Sequence, residues 1–355
     1  MNIYRLGLAC TLPLFAACND NNSPITITSE TVSQQQLDTI VTNIEKRYPE
    51  ATQEQKQNAA EVVVRAIENL VFVEGGSFDM GDFRAPCEIP SKTDYRMDWT
   101  PEASCLSSPG SAFDGSKHLH PVTLDSYSIS KFETSFMDME WMRQINRLPV
   151  TRNKLKGYMP IPGEYLSRSD EEYKKLIKYH TEHTVATGTK SWQEAKDYCQ
   201  WLGEISVLPF DLPTEAQWEF AARSRGQHYY YATNNGYRLL ANDLHYDLQR
   251  ERYVEVLESE INSSTELEDY IGQFPPNPLG IYGMSNNIGE WVNDWYNKNY
   301  YLKSPEHNPQ GPDSGDTRVI RDGKNTKTFG RIDKSPEQDF YFSANSFRCA
   351  LQNYE

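Results

Sequence analysis

The sequence predicts an α+β fold that is rich in loops and carries a helical hairpin ahead of its main body. Apolar residues recur at helical spacing between residues 30 and 70, and beyond residue 71 brief strands and helices alternate with long segments rich in Asn, Gly and Pro. The chain has 355 residues, 38% of them hydrophobic, and its 7 Trp, 22 Tyr and 14 Phe can fill a core. We therefore expect a folded body.

The hairpin is predicted over residues 30–70 from two apolar stripes separated by Tyr48-Pro49. The stripes are Leu37, Ile40, Val41 and Ile44 in the first helix and Val62, Val63, Ile67 and Leu70 in the second. We expect the hairpin to pack on the main body, and the alternative is that it offers a surface to a partner.

Later elements follow from the same patterns. We predict strands within residues 72–81, 122–124 and 127–130, helices over 135–147, 191–203 and 214–223, and a long loop over 82–117. In the helix at 191–203, one face is apolar and consists of Trp192, Ala195, Tyr198, Cys199 and Leu202. The large aromatics Trp218, Phe220, Trp291 and Trp295 are expected to be buried anchors of the core.

The N-terminus predicts a lipoprotein of the bacterial cell envelope. Residues 1–17 have a positive start and a short apolar stretch that ends in Ala16-Ala17 before Cys18, the pattern of a lipoprotein signal peptide. We expect lipid on Cys18 and a flexible tether over residues 18–29, so that the chain contacts a membrane through its lipid. Asn19 favours the outer membrane. The alternative is an ordinary signal peptide cut after Ala17.

Net charge argues against several partners. The formal charge is −15, and an acidic protein of this kind is repelled by phosphate backbones, so nucleic acid is not an expected partner. The sequence contains neither a GxSxG nucleophile motif nor a glycine-rich phosphate loop. An envelope protein or a glycan is the partner class that remains.

Four cysteines remain after the signal and lipidation positions are set aside: Cys87, Cys105, Cys199 and Cys349. An even number in an oxidising compartment indicates two disulfides, with three possible connectivities. No CxxC motif supports a zinc site.

Seven segments together resemble the formylglycine-generating enzyme, or sulfatase-modifying factor, family. They lie at residues 72–82, 120–135, 191–203, 212–226, 277–291, 318–323 and 347–351, and include LPTEAQWEFAARSRG and NPLGIYGMSNNIGEW. The resemblance covers about residues 71–351, so that residues 71–355 are expected to form one domain, and it implies a C-type-lectin-like fold. It also implies that Cys199 pairs with Cys349, which leaves Cys87 for Cys105.

The resemblance fails at the positions that carry the family's chemistry. Family members oxidise with a single copper ion held by two cysteines, and RVIRDG aligned on the preceding strand puts Lys327 and Ile332 at those positions. Neither side chain is a soft ligand for Cu(I), so copper is not expected. No catalytic residue is assigned.

Two calcium positions of the family are partly kept. One loop would use Asn286, Ile288 and Glu290, but Gly283 stands where the family has an amide or carboxylate side chain. The other would begin at Asn242 and Asp243. Calcium is therefore an expectation at weakened sites, and no other cofactor is assigned.

Two functions of different classes remain open. The first is a non-catalytic binding or scaffolding lipoprotein, with the aromatic and amide residues 229–235 as a candidate contact surface or, equally, as core and turn packing. The second is a family-type oxidoreductase with a non-standard site acting on an envelope protein or a small molecule. His180, His183 and Glu182 could supply two histidines and a carboxylate to iron, but the sequence does not identify the further ligand that such a site needs.

Overall fold

A computed structural model describes residues 24–84, 86–90, 97–104, 115–148, 184–241, 244–247, 252–263, 270–321, 327–337 and 345–352. Its α helices are α1 (Gln34–Arg47), α2 (Gln53–Glu68), α3 (Phe136–Ile145), α4 (Trp192–Ser206) and α5 (Glu215–Ala222). Helices and small sheets occur together, so the predicted α+β class is confirmed.

The strands are short. They are β1 (Leu70–Val73), β2 (Gly76–Met80), β3 (Pro86–Pro90), β4 (Met97–Ser104), β5 (His120–Leu124), β6 (Tyr127–Ser130), β7 (Phe210–Asp211), β8 (Leu244–Asp247), β9 (Arg252–Glu255), β10 (Glu290–Trp295), β11 (Arg318–Arg321), β12 (Ile332–Lys334), β13 (Ser346–Phe347) and β14 (Ala350–Leu351). Two four-stranded sheets have the orders β1-β6-β14-β7 and β12-β11-β10-β13. In the second sheet, β13 pairs with β10 in parallel, and β11 lies antiparallel to both of its neighbours.

The helical hairpin packs on the main body, as the sequence predicts. The hydroxyl of Ser33 accepts from the Gln36 N–H at the start of α1, and Thr52 forms a reciprocal capping box with Gln55 at the start of α2. Apolar residues of both helices, including Ile40, share one core with α3 and α4. Burial of these stripes stabilises helices that would be marginal alone.

Part of the predicted tether contacts the hairpin. The backbone N–H of Thr26 donates to Gln57 Oε1 at 2.9 Å, and Gln57 Nε2 donates to the Thr26 carbonyl at 2.7 Å. Ile25 and Ile27 of this segment pack against the core. Residues 24–29 therefore lie along α2, while Cys18 and the signal segment are outside the described residues.

Two strand pairs lie where the sequence gave no periodic signal. β3 and β4 pair antiparallel inside the segment predicted as a loop over 82–117, and β8 pairs with β9 in the acidic insertion after residue 243. The loop prediction is wrong over these strands, because inter-strand hydrogen bonds can hold a segment that has no alternating apolar pattern. Cys87 lies in β3, Cys105 is outside the described residues, and their pairing remains a prediction.

Cys199 and Cys349 form the disulfide that the resemblance implies, with their Cα atoms 5.6 Å apart. It joins α4 to the junction of β13 and β14, across a sequence separation of 150 residues. Closing a loop of this length lowers the entropy of the unfolded chain, which corresponds to roughly 5 kcal/mol in the chain-entropy model.

Three of the four predicted aromatic anchors are buried, namely Trp218, Phe220 and Trp291. Trp295 is only half-buried, and its ring lies 3.4 Å from the Arg318 guanidinium, which is stacked between Trp295 and Trp192. The prediction that Trp295 is a buried anchor is therefore wrong. Its ring covers the Arg318 guanidinium at the edge of the core. Within the described residues, no helix is long and apolar enough to cross a membrane.

Candidate functional site

The centre of the molecule is helix α5, which is buried along its whole length. Thr214 caps it: the Thr214 hydroxyl accepts from the Gln217 N–H, and the Gln217 side chain accepts from the Thr214 N–H at 2.9 Å. Glu215 and Glu219 stand one turn apart on the same face and are 1% and 0% exposed. Two buried carboxylates need cationic partners, because isolated charges in a protein interior are very costly.

Three buried arginines supply those partners. Arg331 is bidentate on Glu215, with Nε to Oε1 and Nη2 to Oε2 both at 2.7 Å. Arg321 bridges the two carboxylates, donating to Glu215 Oε1 at 3.0 Å and to Glu219 Oε2 at 3.1 Å. Arg223 donates to Glu219 Oε1 at 2.9 Å. We call these five residues the arginine–carboxylate network; they join α5 to β11 and to the segment before β12.

Asp294 of β10 adjoins this network. Its Oδ2 accepts the backbone N–H of Glu215 at 2.7 Å. Burial and the Glu215 carboxylate raise the pKa of Asp294 to about 7, against the opposing effects of its hydrogen bond from the Glu215 N–H and of the charges on Arg331 and Arg321. The site therefore contains a carboxyl group that changes its protonation near neutral pH.

Aromatic rings and one histidine enclose the Arg331 side of the network. The rings of Tyr301 and Tyr296 lie 4.4 and 4.8 Å from the Arg331 guanidinium, and His120 contacts Tyr301 at 4.5 Å between ring centroids. Burial lowers the pKa of His120 and raises the pKa of Tyr301 well above its usual value. His120 Nε2 and Tyr301 Oη are buried and have no hydrogen-bond partner among the described residues.

Lys327 and Ile332 do not form a copper site. Lys327 lies in a turn where its carbonyl accepts the Gly330 N–H at 2.8 Å, and Ile332 pairs with Ile320 and packs against the core. Between them in sequence, Arg331 is held by Glu215. An ammonium group and an alkyl group cannot replace two thiolates for Cu(I), so these residues do not fit the metal.

The carboxylate expected at one calcium site, that of Glu290, is bound by other side chains. Both oxygens of Glu290 are engaged: Arg348 donates to them at 2.6 and 2.8 Å, and Trp218 Nε1 donates to Oε2 at 2.9 Å. Glu290 therefore serves as the counter-ion of a buried arginine. No group of three His, Cys, Asp or Glu side chains able to hold a metal occurs in the described parts of the chain. Calcium binding by Asn286 and Ile288 stays a prediction.

Other predicted positions have mixed outcomes. Asn242, Asp243, His180, Glu182 and His183 lie outside the described residues. In the candidate contact surface at 229–235, several residues are packing residues, since Tyr231, Ala232 and Thr233 are buried.

The sequence did not lead us to predict the arginine–carboxylate network. A signal was present, because Glu215, Glu219 and Arg223 recur every four residues along a short, mostly apolar helix and its C-cap. Charged residues on such a helix are ordinarily assigned to a solvated face. The burial of the two glutamates depends on Arg321 and Arg331, each more than a hundred positions away.

Comparison with known protein families identifies the family to which the chain belongs. A family model described as the sulfatase-modifying factor enzyme 1-like domain matches residues 53–352, most of the described structure. The chain belongs to this family. The match begins within α2, so the second helix of the hairpin lies inside the sulfatase-modifying-factor-like region.

Individual relatives are similar over parts of the chain. The serine/threonine-protein kinase pkn1 of Chlamydia pneumoniae is 29% identical over 195 residues, which cover 49% of this chain and 26% of that protein. The formylglycine-generating enzyme of Streptomyces coelicolor is 34% identical over 137 residues, 38% of this chain and 40% of that enzyme. The chain thus matches well under half the length of either relative.

A solved structure supports the fold. PvdO from Pseudomonas aeruginosa superposes with a TM-score of 0.50 at 16% identity, and the match covers 80% of this chain and 94% of PvdO. The sulfatase-modifying-factor-like fold is therefore confirmed by structure as well as by sequence.

Asp294 should make stability depend on pH. Between its ordinary pKa of 3.8 and its folded pKa of about 7, the folded state keeps a proton that the unfolded state has lost. The contribution of Asp294 to the free energy of unfolding is complete below about pH 4 and is lost as the pH rises through 7. For a pKa shift of this size, the contribution is at most about 4 kcal/mol. Asp294→Asn keeps an oxygen for the Glu215 N–H, so its unfolding free energy should fall less between pH 5 and pH 8.

Denaturant unfolding at several pH values measures this effect, with Asp313→Asn as the control because Asp313 is an exposed carboxylate. The unfolding free energy of the control should depend on pH in the same way as that of the unmodified chain. An Asp294→Asn variant with the same pH slope as the unmodified chain would show that Asp294 ionises normally.

Proposed function

We propose that this protein is an envelope lipoprotein whose sulfatase-modifying-factor-like domain binds a partner and does not carry out the copper-dependent oxidation of its enzymatic relatives. The proposal is supported by the family resemblance, in which RVIRDG puts Lys327 and Ile332 at the positions of the two copper-binding cysteines, and by Arg331, which is fixed on Glu215 beside them. In this proposal the chain keeps the family fold but lacks the two cysteine thiolates that bind the family's copper ion.

Electrostatics support the same conclusion. The arginine–carboxylate network is internally paired, with each carboxylate bound by two arginines. Groups held this way stabilise a particular arrangement of α5, β11 and β12, and rearranging them would leave uncompensated buried charge. A network of this kind suits a scaffold that presents its surface loops to a partner.

A second function has one observation in its favour. Beside the network, His120 Nε2 and Tyr301 Oη lack described partners, and Asp294 has a pKa of about 7. Perturbed and unpartnered groups of this kind cluster at active sites. The alternative is therefore an oxidoreductase that uses a non-standard site to act on an envelope protein or a small molecule.

Metal analysis and an oxidation assay separate the two functions. The intact chain, purified in detergent and incubated with Cu(I), should retain no stoichiometric copper after desalting and should consume no oxygen with a cysteine-containing peptide. The formylglycine-generating enzyme of Streptomyces coelicolor serves as the assay control. Stoichiometric metal together with peptide-dependent oxygen uptake would overturn the binding proposal in favour of the oxidoreductase.

We also propose that Cys18 carries the lipid and that the domain is held at the outer membrane. The short apolar segment before Ala16-Ala17-Cys18 supports this placement, as does Asn19. Cells fed an alkyne fatty acid should label the protein, and Cys18→Ser should lose the label and leave the membrane fraction. Cys10→Ser, within the signal segment, is the matched control and should stay labelled. A mature chain that starts at Cys18 with a free thiol would contradict lipidation.

A further inference from the structure

Strand β1 lies at the edge of its sheet. The order β1-β6-β14-β7 leaves it paired with β6 on one side, and no other described strand pairs with it. An edge strand presents backbone N–H and C=O groups to which a further strand can add. β1 also carries Phe72, whose side chain is 64% exposed. The edge therefore combines hydrogen-bonding groups with an apolar side chain at the surface.

The register of the sheet shows which backbone groups of β1 point outward. The Ser130 N–H donates to the Cys349 carbonyl at 2.8 Å, so Ser130 directs its backbone groups away from β1. Leu70 is opposite Ser130, and in an antiparallel pair such a residue directs its own N–H and C=O away from the partner strand. Phe72, two residues further, points the same way. Among the described residues, none bonds to these outward groups of Leu70 and Phe72.

Cross-strand pairing places Phe72 at the end of an apolar row. Phe72 is opposite Ser128, which is opposite Leu351 of β14. Leu351 is in turn opposite Phe210 of β7. Directly opposite residues share one face of a sheet, and on this face Phe210 and Leu351 belong to the core shared with the helical hairpin. A residue added opposite Phe72 would continue the row and cover the exposed ring.

Two exposed glutamates bracket β1, at positions 68 and 74. Glu74 pairs with Arg225 at 2.7 Å. Glu68 Oε1 accepts from Ser29 Oγ at 2.5 Å, and within the described parts of the chain no basic side chain pairs with it. The end of β1 near Glu68 therefore carries an uncompensated negative charge, on a chain whose formal net charge is −15. A basic residue on the added strand would complement this charge.

The same charges argue against a second copy of this chain as the added strand. Two copies that each carry a formal charge of −15 repel one another. An antiparallel pair of β1 strands that set Leu70 of one copy opposite Phe72 of the other would also set Glu68 opposite Glu74. Like charges directly opposite one another destabilise a pair of strands.

We propose that β1 accepts, in antiparallel pairing, an extended segment of a partner protein with an apolar residue opposite Phe72 and a basic residue near Glu68. Main-chain hydrogen bonds to Leu70 and Phe72 supply affinity, and the side-chain contacts supply specificity. The inference rests on the binding role proposed above, and it names the class of partner and the place where it binds.

Binding of a designed strand to the intact chain in detergent tests this edge. The probe is a short fluorescein-labelled peptide of alternating threonine and valine with a lysine at each end, and fluorescence anisotropy follows its binding. Anisotropy should rise to saturation, and hydrogen–deuterium exchange should slow across residues 70–73. The same peptide with glutamate at both ends should bind about tenfold more weakly. A peptide N-methylated at alternate residues, which lacks the donors for the β1 carbonyls, should not bind.

Two variants separate the contribution of the ring from that of the backbone. Phe72→Ala removes the ring and should weaken binding about tenfold. Phe72→Pro also removes the outward N–H, which a solvent-facing edge tolerates, and should weaken binding by roughly a further tenfold. Leu302→Ala is the matched control, because Leu302 is 65% exposed and lies outside β1. It should bind the peptide like the unmodified chain, and thermal melts should show that all three variants fold.

The proposal is overturned if the lysine-ended peptide does not bind, if the N-methylated peptide binds equally well, or if binding survives Phe72→Pro. Sedimentation in detergent should show a monomer without peptide. A dimer that Phe72→Pro dissolves would assign the edge to a second copy and would also overturn the proposal. None of these measurements involves a metal, so the absence of copper chemistry is judged separately by the metal and oxygen assay.

Discussion

The bidentate ion pair between Arg331 and Glu215 is the constraint on which the centre of this structure depends. Glu215 begins helix α5 and also receives Arg321 from β11, so one carboxylate joins a helix, a strand and the segment that leads into β12. Because all three groups are fully or almost fully buried, each needs the others as counter-charges. The position of the 327–332 segment therefore follows from electrostatics as well as from strand pairing.

Other links in the sulfatase-modifying-factor-like frame do not involve the 327–332 segment. The disulfide between Cys199 and Cys349 and the Glu290–Arg348 ion pair involve none of residues 327–332, and they join α4, β10 and the segment between β13 and β14.

Local elements were predictable from the sequence, and the interactions between distant elements were not. The helix at Trp192–Ser206 was readable because Ser191 caps it and an apolar face recurs at helical spacing. The Cys199–Cys349 bridge could be inferred from the family resemblance. By contrast, the partner of Glu290 is Arg348, 58 positions away, and the strand pair β3–β4 has no periodic pattern. Pairing across the fold decides such features, and spacing along the chain carries little information about them.

A double-mutant cycle on Arg331 and Glu215 tests the central claim most directly. Arg331→Met and Glu215→Leu should each lower the unfolding free energy by roughly 3–5 kcal/mol, since each leaves a buried charge without its partner. The double variant should lose much less than the sum, with a coupling energy of about 2 kcal/mol or more. Lys327→Met, in the same segment and without a described ion pair, should change stability by no more than about 0.5 kcal/mol. A coupling energy near zero, or an equal loss in Lys327→Met, would contradict the view that this ion pair organises the site.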